Sequence, residues 1–314
     1  MRDHAYRMCR MRFPSGNWTL RFLLLGAVFV CALLATLFLT AARYWHEARD
    51  RQLLAPLEQC GPSPLWDGNG RLISLSFAAQ GMPTDRQLEI VKHFEYLQVL
   101  DLVGADITDS GFQHLECLHN LKALYISCKN ATDRGLASLA KLDRLETLRL
   151  LNGRTMTGTG LRALPAPERL RDLSMLHITD AGMRTVARFS NLQVLWIGGV
   201  DPAQCPLSPD AVKFLHGMER LDDLIVCSYS VDDHSAPYLA GFPHLRSLHL
   251  RNTKMTKASL PHFLQLQNLE ELALPFEIEM SPKLRSEISQ ALPHLRHLKA
   301  AGSEFAFPAT KQEK

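Results

Sequence analysis

The sequence lacks the motifs of the common enzyme and metal-binding classes. No glycine-rich phosphate loop and no G-x-S-x-G nucleophile motif occurs in its 314 residues. It contains only seven cysteines, and none of them forms a C-x-x-C pair. His114-x-x-Cys117-x-His119 has metal-ligand side chains, but no second ligand pair follows at zinc-site spacing. We therefore predict that the protein is not an enzyme and has no catalytic residue, metal site, cofactor or small-molecule substrate.

The chain also has little net charge outside its N-terminus. The formal net charge is +3. Residues 1–21 form a basic tail that alone contributes +4, so the remainder sums to −1. A nucleic-acid-binding domain needs a basic face. The charge distribution therefore predicts no nucleic-acid partner.

Residues 22–42 contain no charged side chain. As a helix they would extend about 32 Å, close to the hydrocarbon thickness of a bilayer, which is about 30 Å. Arg21 and Arg43 bracket the segment, and Tyr44 and Trp45 stand where an interfacial aromatic anchor is expected. The small residues 40–42 leave a cleaved signal peptide as the alternative. We predict an uncleaved transmembrane helix.

The arginines that flank this segment predict its orientation. Five arginines precede it, and Arg43, Arg49 and Arg51 follow it. Because positive residues favour the cytoplasmic side, we expect a single-pass protein with a cytoplasmic N-terminus and an exported C-terminal domain, periplasmic or extracellular. Residues 43–71 are then a juxtamembrane stalk and N-terminal cap, and residues 301–314 a C-terminal tail.

Most of the remaining chain is a repeat of 22 to 29 residues. Each unit begins as Leu97-x-x-Leu100-x-Leu102 does, with an alternation typical of a strand. A helically spaced apolar run follows, such as Phe112, Leu115 and Leu118. A strand and a short helix at a fixed period predict a solenoid. The leading leucines of the ten units are Leu72, Leu97, Leu121, Leu145, Leu170, Leu192, Leu221, Leu245, Leu269 and Leu295.

A helix-capping side chain precedes each helical run. Residues with Ser, Thr or Asp side chains can accept a hydrogen bond from the first helical turn. An apolar residue commonly stands before the cap and another four residues after it, as Ile107 and Phe112 do around Thr108. The predicted caps are Thr84, Thr108, Thr132, Thr157, Thr179, Ser208, Asp232, Thr256 and Ser281.

These blocks carry a family resemblance. The stretches 107–112 (ITDSGF) and 178–183 (ITDAGM) resemble the L-x-x-L-x-L…I-T-D-x-G-L subtype of leucine-rich repeats, shared by F-box-associated and many bacterial proteins. The resemblance covers residues 72–300. It implies an α/β solenoid of about ten strand–helix units with a curved parallel sheet. Ala105, Gly153 and Val200 stand where many members have Asn or Cys, so no regular asparagine ladder is expected.

The strand alternation also predicts which side chains face solvent. The leucines point into the core, so the residues between and after them line the concave face. Tyr, Trp and Arg are side chains that anchor interfaces, and neighbouring apolar residues form a patch. We predict an exposed apolar patch at Trp196, Leu176 and Ile225. The predicted binding residues are Tyr125, Arg149, Leu151, Leu176, Trp196, Ile225, His249 and Arg251.

The predicted function is protein–protein recognition by a membrane-anchored, non-catalytic repeat protein. The partner is an unidentified protein, and residues 22–42 supply the membrane contact. The alternative is a structural role, in which the solenoid is a spacer or a self-assembling envelope component. A solenoid end that is poorly covered would favour this alternative. At the C-terminal end, we expect Phe305 and Phe307 to cover the core.

Overall fold

The computed structural model describes residues 18–77, 81–127, 130–151, 153, 155–199 and 207–307, with the side chains described from residue 27 onward. The first element is a helix of 37 residues, α1 (Trp18–Leu54). A 3₁₀ helix (Ala55–Cys60) and strand β1 (Pro62–Trp66) follow it. From that point the strand–helix repeat begins.

The strands form one sheet in which neighbours in sequence are neighbours in space. The ten strands from β2 to β11 are parallel, as the repeat predicts. They are β2 (Leu72–Phe77), β3 (Val99–Leu102), β4 (Ala123–Ser127), β5 (Thr147–Leu151), β6 (Asp172–Met175), β7 (Val194–Ile197), β8 (Asp223–Cys227), β9 (Ser247–Arg251), β10 (Glu271–Ala273) and β11 (His297–Ala300).

A short helical segment follows each strand from β2 to β10. The segments are short because a unit of about 24 residues must also hold a strand and two turns. The α-helices are α2 (Asp85–Val91), α3 (Asp109–Leu115), α4 (Asp133–Ala137), α5 (Asp180–Val186), α6 (Ala236–Leu239), α7 (Leu260–Phe263) and α8 (Pro282–Ala291). The 3₁₀ segments are Ser138–Lys141, Thr159–Ala163, Pro209–Leu215, Asp233–Ser235 and Lys257–Ser259.

The core lies between the sheet and the helices. All ten leading leucines of the repeat are at most 3% exposed. The strand residues Leu100 and Leu102 share one apolar cluster with Phe112 and Leu115 of α3. The predicted α/β solenoid of ten parallel strands is therefore confirmed by its strand register and its buried leucines.

Eight of the nine predicted caps occupy the N-cap position, and six of these accept a hydrogen bond from a backbone N–H of the following helix. Thr84 forms a capping box with Gln87, and the Ser208 side chain makes no cap bond. The Thr157 prediction is wrong, because Gly158 occupies the N-cap with φ of 91°. A left-handed φ favours glycine, which has no Cβ. The Thr157 hydroxyl instead donates to Asp133 of the preceding unit. The six caps that accept a backbone hydrogen bond are Thr108, Thr132, Thr179, Asp232, Thr256 and Ser281.

Aspartates in the repeat connect one unit to the next, which the sequence analysis did not predict. The backbone N–H of Thr132 donates to Asp109 Oδ1 at 2.7 Å, and the Thr132 hydroxyl donates to Oδ2 at 2.7 Å. Among the described residues, a backbone N–H donates to an aspartate of the preceding unit in the same way at five places. These pairs are Thr108–Asp85, Thr132–Asp109, Thr157–Asp133, Ser208–Asp180 and Thr256–Asp233. We call Asp85, Asp109, Asp133, Asp180 and Asp233 the inter-unit aspartates.

The glycine of the I-T-D-x-G motif leaves room for these carboxylates. A Cβ on Gly111 would lie 2.2 Å from Asp85 Oδ1, and a Cβ on Gly135 would lie 2.8 Å from Asp109 Oδ1. Both separations are shorter than ordinary van der Waals contact. The glycine is therefore part of the connection between units.

Both ends of the parallel sheet are closed by an antiparallel strand. β1 pairs with β2, and β12 (Ser303–Ala306) pairs with β11. The predicted C-terminal tail 301–314 therefore needs correction, because residues 303–306 belong to the sheet. Phe305 and Phe307 pack against the core, as predicted. Residues 308–314 lie outside the described residues.

The apolar segment and the first cap share one helix. α1 continues through residue 42, the predicted end of the transmembrane segment, to Leu54 without a break. Its last turns contact the first repeat unit: Asp50 accepts from the Leu72 N–H at 3.2 Å, and Arg49 lies 3.3 Å from Glu95. The most apolar stretch of this helix has a mean hydropathy of 1.9, and none of it is buried. By length and composition it is able to cross a membrane, although a signal sequence meets the same criteria.

Candidate functional site

The side chains that alternate with the buried strand leucines form two rows on the face of the sheet opposite the helices. We call this the open face. Because the units repeat in register, each row crosses the sheet from strand to strand. Row one is Ser74, Val99, Ala123, Thr147, Asp172, Val194, Asp223, Ser247, Glu271 and His297. Row two is Ser76, Asp101, Tyr125, Arg149, Ser174, Trp196, Ile225, His249, Ala273 and Lys299.

Five of the eight predicted binding residues lie in row two. Tyr125 pairs with Arg149, and Trp196 pairs with Ile225, in the strand register; all four are partly exposed. Leu151 and Arg251 stand two residues further along their strands, and Arg251 is exposed. The structure thus places seven of the eight predicted side chains on strands of one face: Tyr125, Arg149, Leu151, Trp196, Ile225, His249 and Arg251.

Two of the predicted residues are less accessible than expected. Leu176 is only 8% exposed. Since β6 ends at Met175, the strand alternation no longer fixes where the Leu176 side chain points. His249 is also 8% exposed, because charged side chains of neighbouring strands surround it. The predicted apolar patch of Leu176, Trp196 and Ile225 is therefore reduced to its last two members.

Arg149 sits between an aromatic ring and a carboxylate. Its Nη2 lies 2.5 Å from Asp172 Oδ2, and its guanidinium carbon lies 5.6 Å from the centre of the Tyr125 ring. The hydrogen bond to Asp172 raises the pKa of Arg149 further above its ordinary value. These contacts hold the guanidinium plane in place on the open face, where it can present its remaining donors.

A second charged cluster crosses β9 to β11. Glu271 Oε1 lies 3.1 Å from Lys299 Nζ and 3.1 Å from His249 Nε2. Burial alone would raise the pKa of Glu271, but the hydrogen bond from Lys299 and the nearby His249 outweigh it and lower the pKa. Burial lowers the pKa of His249, against the opposing effect of Glu271 and Asp223. Burial therefore favours the neutral form of this imidazole.

Between these two clusters lie polar atoms with unmet hydrogen-bonding capacity. Asp223 Oδ1 and Trp196 Nε1 are both buried, and neither has a hydrogen-bond partner among the residues that the structure describes. Burial raises the pKa of Asp223, although a contact with the Ser247 hydroxyl opposes the shift. A buried polar atom without a hydrogen-bond partner raises the free energy of the folded state, so such atoms are rare in native structures.

The carboxylates of row one are not among the predicted binding residues. Asp172, Asp223 and Glu271 stand two residues before the row-two positions of their strands. The same period-two alternation assigns both rows to the open face, so the signal was present in the sequence.

A cavity of about 400 Å³ lies at the C-terminal end of the open face. Its lining includes Arg251, Ala273, Phe276 and Lys299. Phe276 is 72% exposed, the highest value among the larger apolar side chains of the repeat units in the described residues. Within the described ranges, no group of three or more His, Cys, Asp or Glu side chains is placed to hold a metal ion.

Comparison with known proteins gives likenesses of fold only. No protein-family model and no curated protein matches the sequence. The chain is similar to the crystal structure of an internalin C2 from Listeria monocytogenes, with 21% identity, a TM-score of 0.49, and coverage of 67% of this chain and 81% of that one. It is also similar to an internalin InlF of the same organism, with 17% identity, a TM-score of 0.43 and 80% coverage of each chain. The solenoid assignment rests on this chain's own strand register and buried leucines.

Proposed function

We propose that this protein is a membrane-anchored leucine-rich-repeat protein that binds another protein through its open face, without catalysis. In a solenoid of this kind the open face is the concave one. The partner is a protein and not a nucleic acid. The N-terminus is cytoplasmic and the repeat domain is exported. Tyr125, Arg149, Leu151, Leu176, Trp196, Ile225, His249 and Arg251 are the proposed binding residues, with Leu176 acting from beneath the surface.

The observation that supports this proposal is the composition of row two. Tyr125, Arg149 and Trp196 follow one another within four neighbouring strands, with only Ser174 between the arginine and the tryptophan. These are the residue types that supply most of the binding energy at interfaces, because each combines a large contact area with a polar group. A rigid sheet holds them at fixed spacing, so little side-chain freedom is lost on binding.

Anchoring is supported by α1. The described side chains of its apolar part are accessible, for example Phe29 at 70% and Phe38 at 73%. A stretch of exposed apolar side chains this long needs a nonaqueous environment. Because the same helix continues into the cap, anchoring would fix the first repeat unit close to the membrane.

The anchor can be tested apart from the binding function. We expect the intact mass of the protein extracted from source membranes to include residues 1–42, and alkaline carbonate not to release it. External protease should digest the repeat domain of intact cells. A mature N-terminus after residue 42 would instead identify a cleaved signal peptide.

The self-assembling alternative is less well supported. A solenoid could polymerise by adding a strand at either end of its sheet. However, Pro62 and Pro64 in β1 lack N–H groups, and β12 ends the other side with Glu304 accessible. Proline and charge at edge strands disfavour strand addition.

The binding function is tested by crosslinking in source membranes. The wild-type chain is compared with the triple variant Tyr125→Ala, Arg149→Ala, Trp196→Ala, after circular dichroism and melting have shown that the variant folds. The matched control changes three accessible residues of the helical side, Arg134→Ala, Tyr238→Ala and Lys283→Ala. We expect one crosslinked protein to be lost with the open-face variant and retained with the control. Equal capture by both variants, or capture of only further copies of this chain, would contradict the proposal.

A further inference from the structure

We propose that the middle of the open face accepts one basic side chain, lysine or arginine, from an extended segment of the partner, with Asp223 as its acceptor. This inference rests on the proposed function and adds the chemistry of the residue that is recognised. Trp196 and Ile225, which are neighbours in the strand register, form the wall along which the basic side chain lies.

Row one contains three carboxylates. Asp172, Asp223 and Glu271 stand on alternate strands, so neighbouring members are about 10 Å apart. Arg149 neutralises Asp172, and Lys299 neutralises Glu271. In the part of the chain that the structure describes, Asp223 alone among the three has no Lys or Arg nitrogen within 4.0 Å. The position of the missing cation lies at the centre of the open face.

Buried atoms without partners provide the second, independent observation. Asp223 Oδ1 is an acceptor without a donor, and Trp196 Nε1 is a donor without an acceptor, within the described ranges. The His249 side chain is nine-tenths buried between Asp223 and Glu271, and its Nδ1 also lacks a described hydrogen-bond partner. These atoms have lost water and gained no described partner, which is unfavourable in the free protein.

A peptide segment has the groups that these atoms need. A guanidinium or ammonium group donates to Asp223, and a backbone carbonyl accepts from Trp196 Nε1. The aliphatic stem of the basic side chain covers Ile225, and its cation attracts the indole ring. The open face already shows this pairing within the chain, because Arg149 lies against Tyr125 at 5.6 Å from the ring centre.

Binding requires a rearrangement of side chains, because both unpartnered atoms are covered in the free protein. Rotamer changes of this kind are common when an interface forms around a fixed backbone. A new cation beside Asp223 also favours its charged form, whereas burial in the free protein opposes that form.

The test uses the full chain in lipid nanodiscs and a displayed library of random ten-residue peptides as the probe. We expect the selected peptides to share an Arg or Lys at one position. Replacing that residue by citrulline or alanine should weaken binding about tenfold or more, the usual scale for a charged hydrogen bond. Asp223→Asn should weaken the same peptides to a similar extent. The matched control, Asp222→Asn in the groove at the start of the strands, should change binding less than twofold.

A charge exchange makes the test specific. Asp223→Lys should bind a peptide with Glu at the basic position more tightly than the wild-type chain does. The inference would be overturned by peptides whose binding is lost with Trp196→Ala but that show no preference for a basic residue, or by peptides that bind Asp223→Asn normally. Either result would leave the open-face function in place. A bound water would then occupy the position beside Asp223. A library that yields no binder also contradicts the inference. Peptides that bind the Tyr125, Arg149, Trp196 triple variant as well as they bind the wild-type chain would count against the proposed function itself.

Discussion

Removing one inter-unit aspartate should weaken the junction between two repeat units. Asp109 lies at the start of α3, and its carboxylate accepts three hydrogen bonds from the next unit. Thr132 donates its backbone N–H at 2.7 Å and its hydroxyl at 2.7 Å, and the Gly135 N–H donates at 3.0 Å. Asp109→Ala removes all three and leaves the Thr132 N–H without a described acceptor, whereas the Gly135 N–H keeps its bond to the Thr132 carbonyl oxygen at 3.0 Å.

The expected cost follows from the number and kind of these bonds. A hydrogen bond to a charged group contributes about 1.5–3 kcal/mol when it is shielded from solvent, and less when water can replace it. The site is only partly buried, so three bonds give an expected loss of about 2–4 kcal/mol. A solenoid is stabilised by contacts between neighbouring units, and a loss of this size at one junction is large. We therefore expect a clearly lower unfolding midpoint.

The measurement is guanidinium unfolding of the full chain in detergent, followed by far-ultraviolet circular dichroism. The matched control is Asp143→Ala, which removes an accessible aspartate from the following turn. A double-mutant cycle with Gly135→Ala adds a geometric test, because the new Cβ would lie 2.8 Å from Asp109 Oδ1. The loss of unfolding free energy caused by Gly135→Ala should be smaller in the Asp109→Ala background than in the wild type, by about 0.5 kcal/mol or more.

Two results would refute this reasoning. An Asp109→Ala midpoint equal to that of the Asp143→Ala control would show that the inter-unit hydrogen bonds contribute nothing measurable. Full additivity in the cycle would show that the glycine is not needed to make room for the carboxylate.

Three further predictions concern other carboxylates and their neighbours. Gly111→Ala should lower the melting temperature, because its Cβ would lie 2.2 Å from Asp85 Oδ1, and Asp85→Ala should relieve part of the loss. Burial disfavours the charged form of Asp133, but hydrogen bonds from the next unit outweigh this effect and lower its pKa. The contribution of this carboxylate to stability is therefore present above about pH 4 and is lost as the pH falls through the lowered folded pKa. The stability of Asp133→Asn should accordingly depend less on pH between about pH 5 and 2 than that of the wild type. An unchanged slope of stability against pH in this range would contradict the prediction. Burial raises the pKa of Asp223, so ionisation opposes folding. Asp223→Asn should therefore melt at a higher temperature than the wild type at pH 7, with a difference that shrinks below pH 5, and a lower melting temperature at pH 7 would show that this carboxylate is stabilising.

The sequence was sufficient to predict those features that each unit determines for itself. The buried leucines follow from the L-x-x-L-x-L spacing, and eight of the nine N-cap positions follow from residue type alone. The rows of the open face were also predictable. Because consecutive units have nearly the same length, a position that repeats in sequence returns at the same height on the next strand, as Tyr125 and Arg149 do.

Features that depend on two units at once were not predictable in the same way. The bond between Asp109 and Thr132 joins residues 23 positions apart and requires the relative height of two helices, which no local pattern gives. The burial of His249 depends on Glu271 and Asp223 on neighbouring strands. Likewise, the charge pattern predicts the end of the apolar segment at residue 42, but α1 continues because its last turns bond to the first repeat unit through Asp50.

Aspartate side chains have opposite effects on the two faces of the solenoid. On the helical side, Asp109 accepts three hydrogen bonds from the next unit and so stabilises the junction. On the open face, Asp223 lies in row one, on β8. Its Oδ1 has no hydrogen-bond partner among the described residues, and burial raises its pKa. The opposite responses expected for Asp109→Ala and Asp223→Asn therefore separate the aspartates that stabilise junctions between units from the one proposed to recognise a partner.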